Sequence, residues 1–350
     1  MFSTSARAVR PGGDRGGVRA RWRAPPRRTG VGSVVRVKRG GHVVSVVAVE
    51  NQGDHIMSHV RDELASQPEC WERAAALGAA GGLGLPEPGA RVAVVGCGTS
   101  LFMAQAYAAL REGAGQGETD AFAASEFPAS RPYDLVLALT RSGTTTEVLD
   151  VLAALRGRTP TVVVTADPAT PVRDLADRLV VLDWADEKSV VQTRFATSAL
   201  TLLRAHLGLQ PEDVVARARE ALVAPLPEGL LECGQFTFLG RGWSVGLARE
   251  AALKMREAAL AWTEAYPAME YRHGPISVST QGTATWMFGE APDGLAEQVA
   301  GTGALWVAEP GDELLALVRA QRLAVELAER QGLTPDEPRH LTRSVVLREV

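Results

Sequence analysis

One local pattern recurs along the chain: a short, wholly apolar run passes into a turn rich in glycine and hydroxyls, and the turn opens a segment of helical spacing. RVAVVG (91–96) leads through Cys97 and Gly98 to a helix over 101–111, and DLVLAL (134–139) leads through Thr140 to a helix over 145–155. TVVVTA (161–166) and a shorter apolar run (179–182) follow, then a helix over 190–206. Apolar runs of this length without polar alternation are strands covered on both faces, and strands separated by helices pair in parallel. Beyond Pro225 and Pro227 the alternation begins afresh, with strands at 236–239, 283–288 and 304–308 and helices at 243–261 and 312–330. The pattern predicts an α/β fold of two doubly wound parallel-sheet lobes, residues 57–224 and residues 225–350 with the tail. A helix over 60–77 and a Gly/Pro linker over 78–89 precede the first sheet.

Charge is unevenly placed. Residues 1–56 hold eleven Lys and Arg against three Asp and Glu, so the remaining residues carry −12 within a total of −4. An acidic fold argues against a nucleic-acid partner. The first 56 residues are rich in Arg, Gly and Pro and lack a sustained period, the composition of a disordered arm, with 43–49 a strand that has no evident pairing partner. The arm is either a basic tether for an acidic partner or a stretch upstream of a start at Met57, the second being favoured. No run approaches the ~18 apolar residues that cross a bilayer. Cys70, Cys97 and Cys233 are too widely spaced for a disulfide framework or a zinc pattern, which points to the cytoplasm and to no metal.

Two junctions in the first lobe carry chemistry. VVGCGTS (94–100) ends a strand on glycines, which admit close approach of an anion, and on Thr99 and Ser100 at a helix start. It lacks the third glycine of a dinucleotide fingerprint, which puts hydride chemistry behind. ALTRSGTTTEVL (138–149) repeats the device with Thr140, Ser142, Thr144, Thr145 and Thr146. One such junction alone is more often a helix cap. Two on neighbouring strands project more hydroxyls into one crevice than capping requires.

The second lobe supplies proton-transfer groups. Glu250, Lys254 and Glu257 lie at i, i+4 and i+7 and share a helix face. As a surface ladder they would contribute only ~0.3–0.5 kcal/mol per pair, but the rest of the helix is Ala, Leu and Met, so the stripe meets a crevice or water. His273, sixteen residues beyond Glu257, precedes Gly-Pro in a turn that fixes its ring. Lysines are scarce, Lys38, Lys188 and Lys254 alone, so few amines are available for a Schiff base.

These stretches together resemble the sugar isomerase (SIS) family, over residues 57–347. The pair of junctions is similar to its signature CGTS followed by SxSGxTxxT, and the helix to its ExALKxKE. The resemblance implies flavodoxin-like lobes and an amino-sugar-phosphate isomerase or deaminase. By that resemblance Thr99, Ser100, Thr140, Ser142 and Thr145 hold the phosphate. Glu257 shuttles a proton between C1 and C2 through an enediol or enolamine, supported by Glu250 and Lys254. His273 opens the sugar ring in the neighbouring subunit of a homodimer, and no cofactor is needed. The segment 187–198 resembles the family stretch in which Gln192 and Thr193 face the sugar, with an ordinary helix N-terminus as the even alternative.

Two positions depart from the pattern. Arg141 stands where the synthase branch has Gln, and either adds a bidentate phosphate contact or lies in solvent. Arg343, in the tail DEPRHLTRSVVL (336–347), takes the place of the family lysine at the sugar, and a guanidinium cannot form an imine. No glutaminase domain precedes the sheet, so the expected reaction is isomerisation or deamination rather than glutamine-dependent synthesis. The rival from another class is a noncatalytic phosphosugar sensor, which would tolerate losing Glu257 or His273.

Overall fold

The computed structural model describes residues 58–347 and, upstream, the backbone of two strands. Those strands, β1 (Ser33–Arg39) and β2 (His42–Ala48), form an antiparallel pair in which Val34 faces Val47. The valine-rich run therefore has the partner that sequence inspection did not find. Two β-branched runs separated by Gly-Gly are a hairpin signal that overall composition concealed. The rest of the segment expected to be disordered, and Met57, lie outside the described residues.

The body opens with α1 (His59–Ala65) and α2 (Gln67–Ala80). The single helix expected over 60–77 is broken at Ser66, with Pro68 in the first turn of α2, where proline's missing N–H is no loss. The first lobe then runs β3 (Val92–Gly96), α3 (Thr99–Gly113), β4 (Thr119–Ala123), β5 (Leu135–Leu139), α4 (Thr146–Leu155), β6 (Thr161–Thr165), α5 (Val172–Leu175), β7 (Arg178–Val181) and α6 (Arg194–His206). Its sheet is fully parallel in the order β4-β3-β5-β6-β7, the flavodoxin-like arrangement. After α7 (Val214–Val223), the second lobe runs β8 (Gln235–Gly240), α8 (Ser244–Ala259), β9 (Trp262–Pro267), β10 (Thr283–Phe288), α9 (Leu295–Gly301), β11 (Leu305–Ala308) and α10 (Glu313–Arg330). Its parallel sheet, β11-β10-β8-β9, is the same winding with one strand fewer.

Strands β4 and β9 escaped sequence reading. Each is an edge strand, partly exposed, and carries polar residues that break the apolar run. Inside the sheets, period-two alternation sorts side chains onto two faces. Val92, Val94, Leu137, Leu139, Val162 and Val164 join the cluster containing α3 and α6, whereas Ala93, Val95, Val136, Ala138 and Val163 join α4. The first cluster does not stop at the lobe: it continues through Phe236, Phe238, Trp286, Phe288, α8 and α10.

Helix α3 and helix α8 meet in this shared core. A Cβ on Gly246 would fall 2.5 Å from the Phe102 carbonyl oxygen and 2.8 Å from the Ala106 nitrogen, so only glycine permits the approach. A second link is Arg204 of α6, buried against Asp312, whose carboxylate also caps α10 by accepting from the Leu314 N–H at 3.0 Å. Gly246→Val should therefore lower the unfolding free energy by about 1–3 kcal/mol through overpacking, read from urea denaturation. An unchanged midpoint would show that the helices separate freely.

Candidate active site

In the first sheet the winding reverses between β3 and β5, because β4 lies on one side of β3 and β5, β6 and β7 on the other. The helices that follow the two strands leave on opposite faces, which opens a crevice at the strands' carboxyl ends. Both hydroxyl-rich junctions fall there. Gly96 ends β3 with its Cα against the Ser100 backbone, a Cβ at that point lying 2.7 Å from the Ser100 carbonyl carbon.

In the second junction Thr140 Oγ1 accepts from the Gly143 N–H at 3.3 Å, and Ser142 Oγ accepts from the Thr144 N–H at 3.2 Å. Each hydroxyl keeps its own proton to donate. Thr145 is the N-cap residue of α4, yet its side chain makes no capping hydrogen bond. Ser100 is buried at the start of α3, which likewise has no side-chain cap. Capping of α3 and α4 therefore does not account for Ser100 and Thr145.

Thr99 behaves differently. Its hydroxyl donates to Glu250 Oε1 of α8 at 3.2 Å, so its side chain is engaged by a carboxylate rather than free for a phosphate. From Glu250 the chain of charge continues. Lys254 Nζ lies 3.5 Å from Glu250 Oε1 and also donates to Glu257. Glu250 and Lys254 are fully buried, while Glu257 keeps 17% of its side chain exposed. The stripe is thus an internal relay that ends at an accessible carboxylate, and a surface ladder is excluded. Glu257 borders a cavity of about 220 Å³ whose other walls include Leu260, Thr334, Glu337 and Arg339.

Burial pushes the Glu250 pKa up from 4.5 to about 8, opposed in part by Lys254 and reinforced by Glu257. Burial acts to lower that of Lys254, but Glu250 and Glu257 outweigh it and hold it above 10.5. Lys254 is therefore a fixed cation and not a nucleophilic amine.

Several expectations need correction. Arg141 does not lie in solvent, and both its terminal nitrogens are engaged by the protein: it is buried, donating to the carbonyls of Ser189 and Arg343, each at 3.0 Å, with Glu187 Oε2 3.8 Å away. Thr193 is buried as well, and its hydroxyl donates to Glu187 Oε1 at 2.8 Å. The same oxygen accepts from the Thr193 and Arg194 N–H groups, so Glu187 caps α6, which begins at Arg194 rather than at 190. Gln192 is half-buried, and its Oε1 has no partner. Arg343 directs its guanidinium at Asp186 and the Glu187 carbonyl. His273 is exposed in a 3-10 turn and makes no hydrogen bond within this chain to the α8 carboxylates.

Sequence reading missed Glu63. Its Oε1 accepts from the Lys188 and Ser189 N–H groups and its Oε2 from the Ser189 hydroxyl, shaping the loop that carries Gln192. It also missed that the tail, grouped with the second lobe by its place in the chain, bonds to the first. Asp336 accepts from the His59 and Val60 N–H groups at 2.9 and 2.8 Å, and Ser344 Oγ lies 2.8 Å from Thr144 Oγ1. Among the described residues no cluster of His, Cys, Asp and Glu is arranged to hold a metal ion, and no helix is long and apolar enough to cross a membrane.

Two parallel lobes, with a hydroxyl-rich pair of junctions at the switch point of the first and a buried carboxylate–ammonium chain in the second, make a double-lobed α/β protein. The chain is similar to proteins of the sugar isomerase (SIS) family. No protein-family model matches it. It is 28% identical over 316 residues to the glutamine–fructose-6-phosphate aminotransferase (isomerizing) of Symbiobacterium thermophilum, a match spanning 73% of this chain. The chain covers about half, 52%, of that relative's length. Glucosamine-6-phosphate deaminase of Thermotoga maritima superposes with a TM-score of 0.67 at 26% identity, over 83% of this chain and 100% of the other. Tagatose-6-phosphate ketose/aldose isomerase of Escherichia coli shares the fold, with a TM-score of 0.66 at 17% identity over 83% and 96%.

The pH dependence of folding follows from Glu250. A carboxyl whose pKa rises from 4.5 to about 8 on folding keeps its proton where the unfolded chain has lost it. Stability therefore falls as pH rises from about 5 to about 8. Glu250→Gln removes this contribution, so its melting temperature should depend less steeply on pH over that window than the wild type's. Parallel profiles for the two proteins would contradict the assignment.

Proposed function

We propose that this protein is a cytoplasmic phosphosugar isomerase or deaminase acting on an amino-sugar 6-phosphate or a related sugar amine phosphate. The observation that carries the reading is the placement of free hydroxyl donors at the switch point, with a relay from Thr99 through Glu250 and Lys254 to Glu257 beside them. Ser100, Thr140, Ser142 and Thr145 donate to the phosphate, aided by the N–H groups at the starts of α3 and α4. Gln192 offers its unpartnered carbonyl to a sugar hydroxyl or amine.

Glu257 removes the proton alpha to the carbonyl of the open-chain sugar, giving an enediol or enolamine, and returns it one carbon away. Lys254, held as a cation, steadies the negative charge that develops on the carbonyl oxygen. With a 2-amino aldose, reprotonation gives a ketimine, which water hydrolyses to a ketose and ammonia. No step requires a cofactor. His273, exposed and remote in its bonding from the relay, serves the site of a second copy, where it moves a proton between the ring oxygen and the anomeric hydroxyl. The working unit in this reading is a homodimer. The names of the relatives support the substrate class, and the guanidinium at Arg343, paired with Asp186, supports a route without an imine to the tail.

Glucosamine 6-phosphate and fructose 6-phosphate should raise the melting temperature while glucosamine and fructose hardly do. Equal stabilisation by the unphosphorylated sugars would remove the phosphate site. Glu257→Gln should retain binding while turnover falls by roughly 10²–10⁴, followed by ketose formation and ammonia release in parallel. Ammonia in step with ketose identifies a deaminase; undiminished turnover would leave the sensor reading in its place. Mixing Glu257→Gln with His273→Asn chains should restore part of the activity if the histidine crosses between subunits.

A further inference from the structure

Arg141 is the residue whose place in the sequence and place in space disagree most. Its backbone lies between Thr140 and Ser142, inside the second junction, and its carbonyl accepts from the Ala166 N–H at 3.1 Å and the Thr165 hydroxyl at 3.2 Å, which fixes it to the end of β6. Its side chain turns inward. One terminal nitrogen donates to Ser189 O and the other to Arg343 O, so a single guanidinium spans the loop of Gln192 and the C-terminal tail.

The tail is fastened at both flanks of that contact. On one side Asp336 O accepts from the Val190 N–H at 3.1 Å and its carboxylate caps α1. On the other, Ser344 meets Thr144, Val345 O accepts from the Thr146 N–H at 3.1 Å, and the Leu347 N–H donates to Thr146 Oγ1 at 2.9 Å. Residues 343–347 therefore run as a strap along the same junction whose hydroxyls face the crevice. Arg343 reinforces the arrangement from the opposite direction through Asp186 and the Glu187 carbonyl.

We propose that Arg141 is a positioning residue that ties the strap and the Gln192 loop to the phosphate-binding junction, so that filling the junction and seating the strap are one linked equilibrium. The proposal rests on the phosphosugar reading of the crevice. Its physical basis is that a planar guanidinium presents two terminal nitrogens at a fixed separation, each donating here to a different carbonyl, whereas an ammonium or an amide offers a single nitrogen. Thr140 and Ser142 flank Arg141 in the chain, so an anion held at them is coupled to Ser189 O and Arg343 O through this one side chain. Linkage is reciprocal: whatever factor the seated strap adds to ligand affinity, the ligand adds to strap seating.

The test uses the full chain with Arg141→Gln, Arg141→Lys, Ser344→Ala and the double variant Arg141→Gln/Ser344→Ala. Amide hydrogen exchange is followed at Thr146 and residues 345–347, with and without glucosamine 6-phosphate, and affinity by titration. In the wild type the sugar phosphate should slow exchange of these amides by about tenfold. Arg141→Gln should abolish that protection and weaken affinity by about tenfold, with Arg141→Lys following it. Ser344→Ala, which leaves the guanidinium untouched, should lose part of both, and the double variant should be no worse than Arg141→Gln alone. Independent, multiplicative losses with unaltered exchange would make Arg141 a direct ligand and overturn the proposal. Should Arg141→Gln fail to fold, an absence of ligand-induced protection in the wild type, or undiminished protection in Ser344→Ala, overturns it equally. A wild type that binds no phosphate at all overturns the phosphosugar reading and the linkage together, whereas ligand binding indifferent to strap and arginine overturns the linkage alone.

Discussion

A buried ammonium governs this structure. Lys254 is removed from water inside the α8 interface, and a charge in that position is tolerated only when carboxylates and further hydrogen bonds surround it. Glu250 and Glu257 provide the carboxylates from the same helix, one turn to either side. Thr99, from the other lobe, donates in turn to Glu250. The polar contact thus fixes how the first lobe's phosphate junction faces the second lobe's proton-transfer helix. Gly246, two turns earlier on α8, permits the backbone separation that the contact demands.

A second set of buried charges organises the other wall. Glu63, Arg141 and Glu187 lie within the first lobe, and each is bound chiefly to backbone groups: Ser189 and Lys188 N–H, Ser189 and Arg343 carbonyls, Thr193 and Arg194 N–H. Charged side chains that satisfy an irregular loop in this way replace the ladder hydrogen bonds which regular structure would have supplied. Burial raises the Glu187 pKa, with Arg141 opposing. The loop that carries Gln192 is therefore stiff although it belongs to no helix or strand.

How much of this was legible follows from the distance along the chain at which each feature is decided. The strand, glycine turn and helix start at 94–100 and 138–149 are set within a dozen residues, and sequence alone located both, along with the α8 stripe. Edge strands β4 and β9 carry polar residues because one side of each has no neighbour, and the apolar signal fades with it. The roles of Arg141, Arg343, Thr193 and Glu63 were hidden for another reason. Arg141 finds partners 48 and 202 positions away, and Glu63 finds one 125 away. Nothing in the local sequence distinguishes such an arginine from one meant for an anion. Thr99 was read as a phosphate ligand on the same grounds, since the carboxylate that engages it stands in the other lobe, 151 residues further on.

The apolar cluster that runs without interruption from β3 through α3 and α8 to β8 and β10 bears on how a ligand enters. Two-domain binding proteins commonly admit a ligand by swinging one domain about a hinge, and such motion needs an interface that can open without exposing a core. Here the interface is the core, with helix backbones in contact at Gly246 and a buried ion pair, Arg204 with Asp312, spanning α6 and α10. Rigid-body opening is thereby closed off, and traffic into the crevice is left to short surface segments that can lift without disturbing either sheet.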